Sequence, residues 1–150
     1  MKRHLYPIDL LTGKEDRTQT IWEKICSIEN LRLAHKNASK GKSWYKEVRE
    51  FNKDPEKYLK EIQTMLVTRT YKPLPYEKFL RVERGKEREI YKSRYFPERV
   101  IQWAVLQVIS PILLRQLIYD TYSAIPDRGI HLALQRIQKD IQSDKEGTQF

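Results

Sequence analysis

Apolar residues recur at three- and four-residue steps once the chain passes Thr18. Ile21, Ile25 and Ile28 make a stripe that Trp22 and Leu31 widen, a spacing that predicts a helix. Residues 34–38 extend it until Ser39-Lys40-Gly41-Lys42 stops it. A second helix is expected over residues 44–51. A third starts where Asp54 can cap and Pro55 suits the first position, with Tyr58, Ile62, Met65 and Leu66 on one face. Pro73 and Pro75 then impose an extended connector, because proline cannot donate to a helix and pushes its predecessor out of helical backbone.

After Pro75 the period changes. Phe79, Leu80 and Val82 lead to Arg84-Gly85-Lys86, and Arg88, Ile90 and Tyr91 follow; two short strands around a glycine turn, over about residues 78–92, fit this best. Pro97 opens the most apolar helix, in which Val100, Ile101, Ala104, Val105, Val108 and Ile109 predict burial on most sides. Ser110-Pro111 is expected to break or restart it, with Ile112, Leu113, Leu114 and Leu117 continuing the burial. Residues 119–125 read as a loop or a short extended piece. Asp127 is placed as the cap of a last buried helix facing inward through Ile130, Ala133, Leu134, Ile137 and Ile141, followed by a polar turn at 143–147 and a strand starting at Gln149-Phe150. Residues 1–17 lack periodicity and read as an irregular lead-in. Trp22 and Trp103, on apolar faces, are expected in the core, and His131 is expected to pack or hydrogen-bond. The expectation is an α+β chain, mostly helical: N-terminal helices, a basic β-hairpin, then two buried helices.

Composition changes this picture only in part. Lys and Arg outnumber Asp and Glu by 29 to 20, a net charge of +9, which suits a polyanionic partner because each phosphate neutralised releases condensed counterions. A basic but merely hydrated surface has the same composition. With 39% hydrophobic residues and five glycines, the chain can bury a core and does not resemble a disordered one. One cysteine, Cys26, excludes an internal disulfide, and the three histidines are too scattered for a metal site. No run is long enough for a signal peptide or membrane span, so a cytoplasmic protein without a membrane partner is expected.

No glycine-rich phosphate loop, no nucleophile with a base and no converging carboxylate pair is present, so no catalytic residue is assigned. What remains is the hairpin. Lys86 and Arg88, two apart, share a strand face and can clamp adjacent phosphate oxygens, on a tip that Arg81 and Arg84 also crowd with positive charge. Charges set on an edge strand against aggregation fit the same residues.

The stretch Gly85-Lys86-Glu87-Arg88, then Pro97-Glu98-Arg99-Val100-Ile101, then Ser110-Pro111-Ile112, is similar to the first sequence block of bacterial reverse transcriptases of the group II intron, retron and diversity-generating types. Tyr122 and Arg128-Gly129, ahead of His131 and Ala133-Leu134, resemble the second block. Glu29-Asn30-Leu31, Ala34, Ala38 and Lys40-Gly41-Lys42 resemble the N-terminal extension of phage and diversity-generating enzymes. The likeness covers about residues 20–150. Ala124-Ile125-Pro126-Asp127 departs from the usual aromatic or cysteine-basic-glycine wording of its loop.

The resemblance implies an N-terminal helical extension over residues 1–75 and the fingers region of an RNA-directed DNA polymerase over 76–150, truncated before the palm and its catalytic aspartates. It implies that Lys86 and Arg88, with Arg84 and Arg81, contact the incoming deoxynucleotide. Arg99, Arg128, Gly129, Lys40 and Lys42 would lie along the template, Arg99 having an equal claim to bridge helix and hairpin. RNA template, DNA primer, deoxynucleotides and magnesium would be ligands of the full-length enzyme, with no magnesium ligand in this chain, which alone would be inactive. A stand-alone basic nucleic-acid-binding module, or a helical protein-interaction domain using the stripe at 100–117, remain the alternatives.

Overall fold

The computed structural model describes residues 19–123 and 125–147. The expected lead-in at 1–17, the strand at 149–150 and Ala124 lie outside the described residues. The protein is a mostly helical α+β molecule. Its elements run α1 (Ile21–Cys26), α2 (Ile28–Ser39), α3 (Lys46–Phe51), α4 (Pro55–Val67), β1 (Glu77–Glu83), β2 (Lys86–Lys92), a kinked turn at Tyr95–Arg99, α5 (Val100–Gln116) and α6 (Ile130–Gly147). The chain packs as two compact units, one covering Asp16–Ser110 and one holding the described residues from Pro111 on. Residue 75, expected to end the N-terminal extension, falls inside the first.

In the first unit the expected long helix is two. Ser27 takes extended backbone (φ −65°, ψ 143°), and its hydroxyl accepts a hydrogen bond from the Asn30 N–H at 3.2 Å, capping α2. The apolar period runs through this break because both pieces bury the same side, Ile25 and Cys26 in α1 and Leu31, Ala34 and Ala38 in α2. Trp22, by contrast, is exposed rather than in the core, while Trp103 packs against it. α4 begins as expected, with Asp54 accepting from the Lys57 N–H at 3.2 Å and Pro55 in the first turn.

Phe51, at the end of α3, is the centre of the core. It stacks on His35 (ring centroids 4.4 Å apart) and Tyr58 (5.0 Å), and meets Tyr95 edge-on at 5.5 Å. The first half of α5 closes the other side through Val100, Ile101 and Ala104. A polar latch fixes it there. The buried Gln107 amide donates to the Asn30 carbonyl at 2.7 Å and to the Asn30 side-chain oxygen, and accepts from Asn37 at 3.2 Å; Asn30 in turn donates to the Ala104 carbonyl at 3.0 Å. Buried amides that satisfy each other in this way set the register of one helix on another, since any slide would strand them.

Several expectations fail further along. α5 runs through Pro111 instead of breaking, at the loss of the one hydrogen bond that a proline nitrogen cannot give. Burial stops there: Ile112, Leu113 and Leu117 are exposed. In the second unit Asp127 does not cap. It has left-handed backbone (φ 61°) in a tight turn where the Arg128 N–H bonds the Ile125 carbonyl, and Gly129 stands at the helix start, its carbonyl accepting from Leu132 and Ala133. α6 carries on to Gly147, through the stretch expected to turn, and its apolar side is open, with Ile130 at 70% and Ile137 at 54% exposure. His131 is exposed as well. Periodicity marks which side of a helix is apolar; whether another element covers that side is decided elsewhere in the chain.

Candidate nucleic-acid interface

The hairpin is where the sequence places it. Arg84 (φ 51°) and Gly85 (φ 75°) form a two-residue turn with both central residues in left-handed backbone, the geometry whose twist matches a two-stranded ribbon. Residues paired directly across the ladder share a face, so the register Phe79–Ile90, Arg81–Arg88 and Glu83–Lys86 sorts the side chains. One face carries four cations, Arg81, Lys86, Arg88 and Lys92, against the two carboxylates of Glu77 and Glu83. The other pairs Lys78 with Tyr91, Leu80 with Glu89 and Val82 with Glu87, so two carboxylates outnumber one lysine. The ribbon is therefore cationic on one side and anionic on the other. Glu83 sits between Arg81 (3.3 Å) and Arg88 (3.7 Å), whereas Lys86 has no ion-pair partner among the described residues.

The cationic face continues into a cleft at the ribbon's base. Phe79, Ile90 and Lys92 line this cleft of ≈ 480 Å³, together with Lys42, Tyr45 and Arg99. Lys42 is brought in by the turn that ends α2: Lys40 (φ −59°, ψ 122°) and Gly41 (φ 70°) bend the chain so that the Lys42 N–H bonds the Ser39 carbonyl at 2.9 Å. Glycine is favoured at that bend, because a Cβ disfavours positive φ. The Lys42 ammonium is pushed below its ordinary value by burial first and then by the neighbouring Arg99 and Lys92 charges. Three cations thus crowd one recess, a surplus that an anion relieves. Glu47 is their local counterweight. It accepts from Lys92 Nζ at 2.8 Å and from the Tyr95 N–H at 2.6 Å, tying α3 to the foot of the hairpin. Arg99 forms no ion pair with the hairpin among the described residues, and its Nε is enclosed without a hydrogen-bond partner there.

Of the residues singled out from sequence, Arg81, Arg88 and Lys86 share one face, Arg84 forms the tip, and Lys42 and Arg99 meet at the base. Lys40 is exposed in the turn and does not line the cleft. Arg128 and Gly129 belong to the second unit, where the Arg128 guanidinium donates to the Tyr119 carbonyl at 3.0 Å and lies 5.3 Å from its ring centroid. Sequence reasoning passed over Lys92 and the Trp44–Tyr45 pair. Their signal was present: two aromatics between Lys42 and Lys46, a pattern that suits bases and phosphates together. Among the described residues, no group of three or more His, Cys, Asp or Glu side chains comes together to hold a metal ion, and no helix is long and apolar enough to cross a membrane. Compared with known proteins, the chain matches no protein-family model and no curated protein.

Proposed function

We propose that this chain is the fingers-side part of an RNA-directed DNA polymerase, with an N-terminal helical extension to residue 75 and the fingers region beyond, and that by itself it holds nucleic acid rather than copying it. One observation carries the reading. Arg81, Arg88 and Lys86 share the ribbon face whose foot, at Phe79 and Ile90, lines the recess holding Lys42, Lys92 and Arg99. A continuous cationic track of that kind suits a polyphosphate tail at the hairpin and a nucleic-acid backbone below it. RNA template, DNA primer and deoxynucleotides are the ligands of the complete enzyme in this reading, and its setting is the cytoplasm. Magnesium belongs to carboxylates not assigned to this chain.

Titration of the whole chain with a labelled single-stranded RNA at several salt concentrations tests this. Affinity should fall linearly with log salt, with a slope of about −0.7 per phosphate contact. Lys42→Ala, in the recess below the hairpin, should reduce that slope by about 0.7, one contact at that rate, whereas Lys86→Ala with Arg88→Ala should weaken binding of a deoxynucleoside triphosphate and leave the RNA slope nearly unchanged. Binding of RNA indifferent to salt, or a hairpin double variant that binds the triphosphate like the parent, would overturn the reading. A second reading, a helical protein-interaction domain, is favoured by the open apolar residues of α6. Concentration-dependent sedimentation of the chain without RNA, abolished by Ile137→Glu, would support that one instead.

A further inference from the structure

Trp44 is exposed to 68%, and its ring stacks on Tyr45 at 4.0 Å between centroids and 19° between planes. A large aromatic left in water is costly, and a pair held parallel in water presents a flat, rigid surface. The pair is built, not incidental. Gly41 turns the chain, the Tyr45 N–H bonds the Lys42 carbonyl at 3.0 Å, and Tyr45 begins α3 in extended backbone (φ −66°, ψ 136°). Tyr45 lines the cationic cleft, and Lys92 Nζ lies 5.6 Å from its ring centroid.

Resting on the polymerase reading above, we infer that Trp44 and Tyr45 form a stacking platform for an unpaired base of a single-stranded nucleic acid, whose neighbouring phosphate sits on Lys42, Lys92 and Arg99. A flat ring beside a cluster of cations matches the two chemistries that repeat along a single strand, a π-face and a phosphate one nucleotide apart. A duplex does not fit, because its bases are already stacked and offer no face. An acidic peptide would use the cations and leave the exposed tryptophan without a task. Stacking on the ring is blind to base identity, so the platform holds a strand in place without reading its sequence. It acts where the strand enters the cleft, away from the hairpin tip assigned to the deoxynucleotide.

The test compares three polyanions on the full chain: a twelve-nucleotide oligouridine, a twelve-base-pair RNA duplex and inorganic polyphosphate, with the matching oligodeoxythymidine as a second single strand. Trp44→Ala should weaken both single strands on the order of tenfold, the loss of one stacked base, and leave duplex and polyphosphate unchanged. Trp44→Phe, which keeps a ring, should recover most of the affinity. Since Trp44 is mostly outside the core, its far-ultraviolet spectrum and melting point should match the parent. Equal weakening on polyphosphate, or no weakening on the oligonucleotides while the parent binds them in a salt-dependent way, refutes the platform and leaves the polymerase reading standing. If the parent itself binds no oligonucleotide, both fall together.

Discussion

The Glu47 side chain ties α3 to both the foot of the hairpin and the kinked turn that follows it, and Glu47→Gln isolates what that tie contributes. The carboxylate serves two donors at once, Lys92 Nζ at 2.8 Å and the Tyr95 N–H at 2.6 Å. An amide of the same shape has one acceptor oxygen, so it can serve either donor and must abandon the other. The Lys92 ion pair is more than a third exposed, which limits it to about 1 kcal/mol. Leaving the Tyr95 N–H poorly paired adds about 1 kcal/mol. A loss of about 2 kcal/mol in a chain of this size lowers Tm by roughly 4–8 °C. Acid provides an independent check. Burial raises the Glu47 carboxyl, but the Lys92 and Tyr95 hydrogen bonds outweigh it and hold the group below its ordinary 4.5. A depressed carboxylate stabilises above that value and loses its contribution as pH falls through the folded one, so the difference between parent and variant should shrink as pH falls below 4.5. Calorimetric melts at pH 7, 5 and 3.5, with amide hydrogen exchange at Tyr95, measure both effects. A melting difference that does not shrink in acid, or unchanged exchange at Tyr95, would refute the account. The same variant leaves Lys92 with Glu77, 3.7 Å away, as its ion-pair partner among the described residues, so its RNA-binding slope against salt should steepen even as the fold weakens.

Other outcomes follow from the same structure. His35 is half-buried, and burial pushes its imidazole below 6.5, with Asn52 opposing in part. The unfolded chain therefore takes up the proton first, stability should decline as pH drops below 6.5 towards the folded value, and His35→Gln should flatten that stretch in urea titrations. Phe51→Ala removes the ring on which His35, Tyr58 and Tyr95 converge and should cost about 3–5 kcal/mol in equilibrium urea unfolding; a loss under about 1 kcal/mol would mean the cluster collapses without harm. Gly85→Ala meets no atom within 4 Å, so its cost is backbone conformation alone, about 1 kcal/mol at φ 75°. It should loosen the hairpin amides in exchange experiments while Tm scarcely moves.

Most of the helical body was legible in the chain because its signals are local. Asp54-Pro55 starts α4 as its chemistry requires, and Gly85 between alternating runs marks the ribbon. The errors lie where a non-local partner decides. Ser27 divides α1 from α2 under an unbroken apolar stripe; only its hydroxyl, three residues before Asn30, hinted at a second start. Asp127 offered a good cap, yet the turn at Ile125–Arg128 uses it in left-handed backbone and hands the helix start to Gly129. α6 shows an apolar side on paper and exposes it in space. Within the site, alternation alone placed Lys86 and Arg88 together. The meeting of Lys42, Lys92 and Arg99 depended on a bend at Gly41 and on how α3 packs, which no window of sequence contains.

The two-signed ribbon has a consequence for how ionic strength acts on it. A two-stranded sheet with its side chains is about 10 Å thick, close to the screening distance of about 8 Å at physiological salt. Under those conditions an approaching polyanion senses chiefly the near side, attracted by Arg81, Arg88 and Lys86 and indifferent to Glu87 and Glu89 behind them. In dilute buffer, where fields reach about 30 Å, the two sides blur into one weakly positive body. Added salt should thus lower the ribbon's affinity and, within a limited range, sharpen the direction from which it accepts a strand.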